Sequence, residues 1–160
     1  MRKAVVPFVL SVGLIAVWAA PADAASTRAE YVAQAEAVCG APAPQLIKLI
    51  QQEKQLHKRA GDLTPSQLAV RLGKILGKLS TIEGQILTQL ATIPPAAGDE
   101  AVIAQWLQGE RDSQAPLNRA ARAGKHGKLG QMLALLKQSI SVSTQANQLV
   151  ADFGFQTCVF

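Results

Sequence analysis

The sequence predicts an all-α protein: an antiparallel up-down-up-down four-helix bundle with a short N-terminal helical extension and one disulfide. Two observations favour helices throughout. Apolar residues recur at steps of three and four, while stretches in which β-branched and polar residues alternate are almost absent. Aromatic residues make up only 4% of the chain, and the good helix formers alanine, leucine and glutamine are abundant.

The first two predicted helices are separated by a proline-rich break. The extension covers residues 27–38, and the second helix covers residues 44–60 and ends at Gly61. Pro42 and Pro44 lie between them, and proline interrupts a helix unless it stands in the first turn. The apolar positions of the extension are Tyr31, Ala35 and Val38, and those of the second helix are Leu46, Ile47, Leu49, Ile50 and Leu56.

The third predicted helix has the clearest start signal. Thr64 is a good N-cap, Pro65 suits the first helical position, and Gln67 completes a capping box. The helix ends near Thr92, because Ile93-Pro94-Pro95 cannot continue it. Its apolar seam, at steps of four and three, is Leu68, Leu72, Ile75, Leu79, Ile82 and Ile86.

Two further helices complete the predicted bundle. Asp99 is the expected N-cap of the fourth helix, and Pro116 predicts a kink within it. After a turn at 124–127, the last helix covers residues 128–153 and is capped by Gly154. Its two apolar rows predict contact with two neighbours at once. They are Met132, Leu135, Val142, Ala146, Leu149 and Phe153, beside Leu129, Leu133, Leu136 and Ile140.

Residues 1–24 have the pattern of a secretory signal peptide. Basic residues precede an apolar stretch at 4–20, and Ala22 and Ala24 occupy the A-x-A positions before the cleavage site. We expect cleavage after Ala24, with Ala22 as the second choice of site. Cleavage after Ala24 leaves a single domain at 25–160 that is secreted or held in the cell envelope. A retained N-terminal membrane anchor is the alternative, because the apolar stretch approaches the length that spans a bilayer.

The two cysteines, Cys39 and Cys158, are expected to form a structural disulfide. In an even-numbered antiparallel bundle, the start of the helix after Pro44 and the end of the helix at Phe153 lie at the same end. The cysteines flank these two positions, and export permits an oxidised pair. The predicted bond therefore joins the two ends of the domain.

Several short segments together resemble a group of small helical secreted or envelope proteins of actinobacteria. The resemblance implies a shared scaffold with paired terminal cysteines, and it implies no activity. At 41–44 the chain departs from the group, in which the first helix would continue. The segments are Tyr31–Cys39, Leu90–Pro95, Asp99, Trp106-Leu107, Ala121–Gly124 and Gly154–Cys158.

Signatures of catalysis, metal binding and cofactor binding are missing from the sequence. It has no Glu-x-x-His pair, haem-attachment motif or phosphate-cradling loop. Glu53 and His57 share a helix face among charged neighbours, and His126 lies in a basic turn. Ser113 and Ser139 lack an activating context. We therefore expect no enzyme activity, no cofactor and no metal.

The charge of the chain favours anionic partners. The net charge is +5, and removing Arg2, Lys3 and Asp23 with the signal peptide leaves +4. This suits acidic polymers or phospholipid headgroups, and it is too small for a typical nucleic-acid-binding protein. Two basic clusters would form one anion-attracting patch if they met, and would otherwise be solvated faces. They are Arg71, Lys74 and Lys78, and Arg119, Arg122, Lys125 and Lys128.

The expected function is that of a non-enzymatic binding or interaction module of the cell envelope or exterior. Its expected partner is an anionic envelope surface or another envelope protein, and nucleic acid is not expected. One alternative is binding to lipid or to an anionic membrane surface through a basic amphipathic helix, using the face of the third predicted helix around Lys74 and Lys78. The other is a carrier that holds a small apolar ligand between its helices.

Overall fold

The computed structural model describes residues 27–159, and all regular structure in this range is helical. The predicted all-α class is therefore confirmed, whereas the predicted signal peptide lies outside the described residues. The helices are α1 (Arg28–Gly40), α2 (Ala43–Lys58), α3 (Pro65–Leu90), α4 (Glu100–Lys125) and α5 (Leu129–Leu149), with 3₁₀ turns at Ala60–Asp62 and Ala151–Phe153.

Capping boxes fix the starts of α1 and α3. The hydroxyl of Thr64 accepts the backbone N–H of Gln67 at 3.2 Å, and the side chain of Gln67 accepts the N–H of Thr64 at 3.0 Å, as predicted. Thr27 and Glu30 form the same reciprocal pair at the start of α1. The break between α1 and α2 lies at residues 41–42, as the prolines indicate.

The prediction that the Asp99 side chain caps α4 is wrong. Asp99 stands at the N-cap position, but its carboxylate does not cap the helix. It accepts a hydrogen bond from Nε of Arg28 at 2.8 Å and a second from the same guanidinium. These bonds hold the pKa of Asp99 below its ordinary value. Asp99 therefore ties α1 to the start of α4.

α4 is the central helix of the packing. It continues through Pro116 as a single helix, and we attribute this continuity to its extensive contacts with both α3 and α5. α1 and α2 pack mainly on α3. One apolar cluster lies at the disulfide end, where Trp106 stacks on Phe155 at 5.2 Å. A second cluster around Leu117 and Met132 lies toward the other end.

The most buried row of α3 is displaced by one residue from the predicted seam. Of the predicted positions, Ile82 and Ile86 are buried, while the other four are only partly buried. The buried row instead contains small and polar residues, because the backbone of α4 approaches α3 along it. This row is Ala69, Gly73, Leu76, Ser80, Leu87 and Leu90.

The prediction of two buried apolar rows on α5 is wrong in part. Leu133 and Ile140 are 50% and 58% exposed, and Leu149 is 42% exposed. α5 packs chiefly on α4, so one face is sufficient for its contacts. The residues that this face buries are Met132, Ser139, Ser143 and Ala146.

The disulfide between Cys39 and Cys158 is confirmed, with the two Cα atoms 5.3 Å apart. The cysteines are 119 residues apart in sequence, and closing a loop of this length stabilises the folded state by about 4 to 5 kcal/mol in the chain-entropy model. The backbone N–H groups of Gln156 and Thr157 also donate to the Glu36 carboxylate, at 2.7 and 3.0 Å. The C-terminal segment is therefore held to α1 by the disulfide and by hydrogen bonds from the two residues just before Cys158.

α3 and α4 approach most closely at two glycines. A Cβ atom on Gly73 would lie 2.6 Å from the backbone nitrogen of Lys125, and one on Gly124 would lie 2.7 Å from Cα of Gly73. Both distances are far below ordinary van der Waals contact. The absence of a side chain at these two positions is therefore what permits the crossing.

We predict that Gly73→Ala lowers the melting temperature of the protein, because the added methyl group forces α3 and α4 apart. Gly84→Ala is the matched control in the same helix, since its Cβ would lie 4.0 Å from the nearest atom, the side-chain oxygen of Gln114. The control should gain up to about 1 kcal/mol from the better helix propensity of alanine. Thermal unfolding followed by circular dichroism measures both changes, and equal stabilisation by the two substitutions would contradict the account.

Candidate functional site

The groove between α2 and α3 is lined by cations. It consists of two adjoining clefts of about 670 and 290 Å³, which share Gln52, Lys74 and Lys78. None of the described residues that line the clefts is Asp or Glu. We call this site the basic groove, and its cations are Lys48, Arg59, Arg71, Lys74, Lys78 and Lys125.

The α3 side of the basic groove contains the first basic cluster of the sequence. Arg71, Lys74 and Lys78 follow one another at steps of three and four, so they share one helix face. All three side chains are exposed. Because like charges at this spacing repel one another, the cluster does not stabilise the helix.

Lys125 of α4 connects the second basic cluster to the first. A Cβ atom on Gly77 would lie 3.7 Å from both Nζ and Cε of Lys125. The Lys125 ammonium therefore lies over α3 at Gly77, in the same cleft as Lys74 and Lys78. The close crossing of α3 and α4 makes this placement possible.

The rest of the second cluster does not enter the basic groove. Arg119, Arg122 and Lys128 line a separate cleft of about 760 Å³ between α4 and α5, together with His126. Arg122 and Lys125 also lie in the last turn of α4, where positive charge favours the helix dipole. The structure thus brings four of the seven predicted basic residues together and places the other three in a second basic cleft.

Sequence reasoning missed the contribution of α2 to the basic groove. Leu49 and Leu56 are buried against the bundle, and Lys48, Gln52 and Arg59 lie beside them at the edge that faces the groove. The signal was present in the helical spacing of these residues. It could not be used because the sequence does not tell which edge of α2 meets α3.

The electrostatics of the basic groove favour the binding of anions. A cleft lined by charges of one sign concentrates the field and raises the local concentration of counter-ions. Lysine ammonium groups bind phosphate as point charges, and the glutamines at the rim add neutral donors. The arrangement can therefore hold a ligand with several negative charges without covalent chemistry.

A second polar feature lies inside the protein, between the two apolar clusters. Glu110 of α4 is 1% exposed, and its carboxylate accepts a hydrogen bond from Ser143 of α5 at 3.1 Å. Glu83 of α3 accepts one from the side chain of Gln114 at 2.8 Å. The hydroxyl of Ser139 donates to a backbone carbonyl of α4 at 2.9 Å. These residues form a polar layer across three helices, which is buried at Glu110, Ser139 and Ser143 and partly buried at Glu83 and Gln114.

Burial raises the pKa of both carboxyls in this layer to about 7. The hydrogen bonds from Gln114 and Ser143 oppose the effect, and the nearby Glu83 charge adds to it at Glu110. Sequence reasoning missed these residues. The available signal was that Glu110 continues the apolar row of Trp106 and Leu107 on α4.

We predict that the raised pKa of Glu110 makes the folded state less stable as the pH rises. The folded carboxyl keeps its proton up to about pH 7, whereas the unfolded one loses it near 4.5. The free energy of unfolding therefore falls across this interval, and the loss is complete above it. Glu110→Gln should reduce this pH-dependent loss of stability, so the variant should have a higher melting temperature than the wild type at pH 8.

The control for this measurement is Glu53→Gln, which removes an exposed carboxylate of α2. Its melting temperature should follow the wild-type pH profile between pH 5 and pH 8. The interpretation is contradicted if Glu110→Gln and the wild type lose the same stability over this range.

Within residues 27–159, no three or more His, Cys, Asp or Glu side chains cluster in a way that could hold a metal ion. In the same range, no helix combines the length and apolar character needed to cross a membrane. Comparison of the chain with protein-family models, with curated proteins and with solved structures finds no significant match.

Proposed function

We propose that this protein is a non-enzymatic binding module of the cell envelope or exterior, and that it binds polyanionic ligands in the basic groove. One observation carries the proposal: six cations from three helices converge on this groove, and no carboxylate lines it among the described residues. These exposed cations would attract a ligand that carries several negative charges. A polyanion would therefore stabilise the folded protein.

The proposal includes the location and the topology of the chain. We propose that residues 1–24 direct export and are removed, and that the protein is similar in scaffold to helical envelope proteins of actinobacteria. The disulfide supports an oxidising compartment. We also propose that α2 to α5 alternate in direction, as an up-down-up-down bundle does. The short connection between α4 and α5 supports this arrangement.

We predict that the purified protein binds inorganic polyphosphate, with an affinity that falls as salt is added. Lys74→Gln combined with Lys78→Gln should weaken binding about tenfold or more, because each cation near an anionic surface contributes about 1 kcal/mol. It should also reduce the slope of log affinity against log salt concentration. Isothermal titration calorimetry at several salt concentrations measures both quantities.

The matched control removes two cations outside the basic groove, with Arg111→Gln and Lys137→Gln. Its net charge equals that of the groove variant, so it separates the groove from general electrostatic attraction. The proposal fails if the wild type does not bind polyphosphate. It also fails if the two double variants lose affinity equally.

A further inference from the structure

We propose that α2 is the helix through which this protein contacts an anionic phospholipid bilayer. Ile47 and Ile50 would insert among the acyl chains, and lysines of the same helix would meet the lipid phosphates. This inference rests on the proposed function, because it names the surface that carries the anionic groups. It differs from the sequence-based expectation, which placed the membrane contact on the basic face of α3.

The first observation is the exposure of two isoleucines on one helix. Ile47 is 54% exposed and Ile50 is 51% exposed. They lie three residues apart, so they are neighbours on the helix surface. A single exposed apolar side chain is ordinary on a soluble protein, but a pair on a basic helix is typical of helices that lie at a membrane interface.

The second observation is the position of α2 at the edge of the fold. α2 packs on α3 through Leu49 and Leu56, and it has no comparable contact with α4 or α5 within the described residues. The face opposite these leucines points outward. Ile47 belongs to this outward face, because it stands two residues before Leu49 and helical neighbours at this spacing diverge.

The third observation is the charge that surrounds the isoleucines. Lys54 and Lys58 follow Ile47 at spacings of seven and eleven residues, which returns them to the same outward face. Lys48 lies on the other edge of α2, where it lines the basic groove. The exposed carboxylate of Glu53 neighbours Ile50 at a spacing of three residues, so the two lysines of the outward face outnumber one nearby anion. The long stems of lysine can cover apolar surface while the ammonium groups reach lipid phosphates.

Charge complementarity therefore indicates that an anionic bilayer binds to this face of α2. α5 provides the contrast, because it also exposes apolar side chains, at Leu133 and Ile140. Lys137 is the only charged residue in the 21 residues of α5. The α5 face thus lacks the group of cations that would hold it at an anionic membrane.

The experiment compares vesicle binding with polyphosphate binding. Vesicles of equal parts phosphatidylglycerol and phosphatidylcholine are floated with the wild type and with Ile47→Gln plus Ile50→Gln, a change that preserves helix propensity. The variant should bind these vesicles at least about tenfold more weakly, since it loses the burial of two apolar side chains. Its affinity for polyphosphate should be unchanged.

The matched control is Leu133→Gln plus Ile140→Gln, which removes two equally exposed apolar side chains from α5. It should bind vesicles and polyphosphate as the wild type does. The proposal is overturned if the α2 variant still binds vesicles normally, or if the α5 variant loses vesicle binding to the same extent.

The wild type separates this inference from the proposed function. If the wild type binds polyphosphate but does not bind vesicles, the proposed anion site is supported and the bilayer contact is refuted. The ligand would then be a soluble anionic polymer. Binding to neither probe would refute the proposed function itself. As a direct readout, Ile47→Trp should show a blue-shifted emission with anionic vesicles, and an unshifted emission would refute insertion.

Discussion

The close crossing of α3 and α4 at Gly73 and Gly124 is the constraint on which the other features depend. A methyl group at either position would overlap the backbone of the opposite helix. The crossing sets the rotation of α3, so that a row of small and polar residues meets α4. It also brings Lys125 over Gly77, where the Lys125 ammonium joins the cations of α3. The basic groove is therefore a consequence of helix packing as well as of charge.

The middle of the protein is polar where α3, α4 and α5 meet. Glu110 and Ser143 meet between two apolar clusters, and Glu83 lies nearby with its own hydrogen-bond partner. A buried carboxyl that is ionised is costly, which is why burial raises the pKa values of both glutamates. Such a layer also specifies which helix faces meet, because any other rotation would leave its donors and acceptors without partners.

Local signals in the sequence predicted the elements well, and they predicted the contacts between elements poorly. Helix ends lie close to the predicted positions because the signals that set them act on adjacent residues in the sequence. These signals are the capping residues Thr64 and Gln67 and the prolines at 42 and 94. The seam of α3 was displaced by one residue because large apolar side chains dominate a periodic pattern. The residues that permit close approach, Gly73 and Ser80, contribute nothing to such a pattern. The groove residues of α2 were missed for a related reason, since their role depends on the rotation of α2 against α3.

The central claim is that helix packing assembles the basic groove, and the affinity of Gly73→Ala for inorganic polyphosphate tests it most directly. The measurement is made at a temperature at which circular dichroism shows the variant to be folded. The account predicts weaker binding than the wild type, because separation of α3 and α4 removes Lys125 from its place beside Lys74 and Lys78. Gly84→Ala should bind as the wild type does. Unchanged polyphosphate affinity in folded Gly73→Ala would contradict the account.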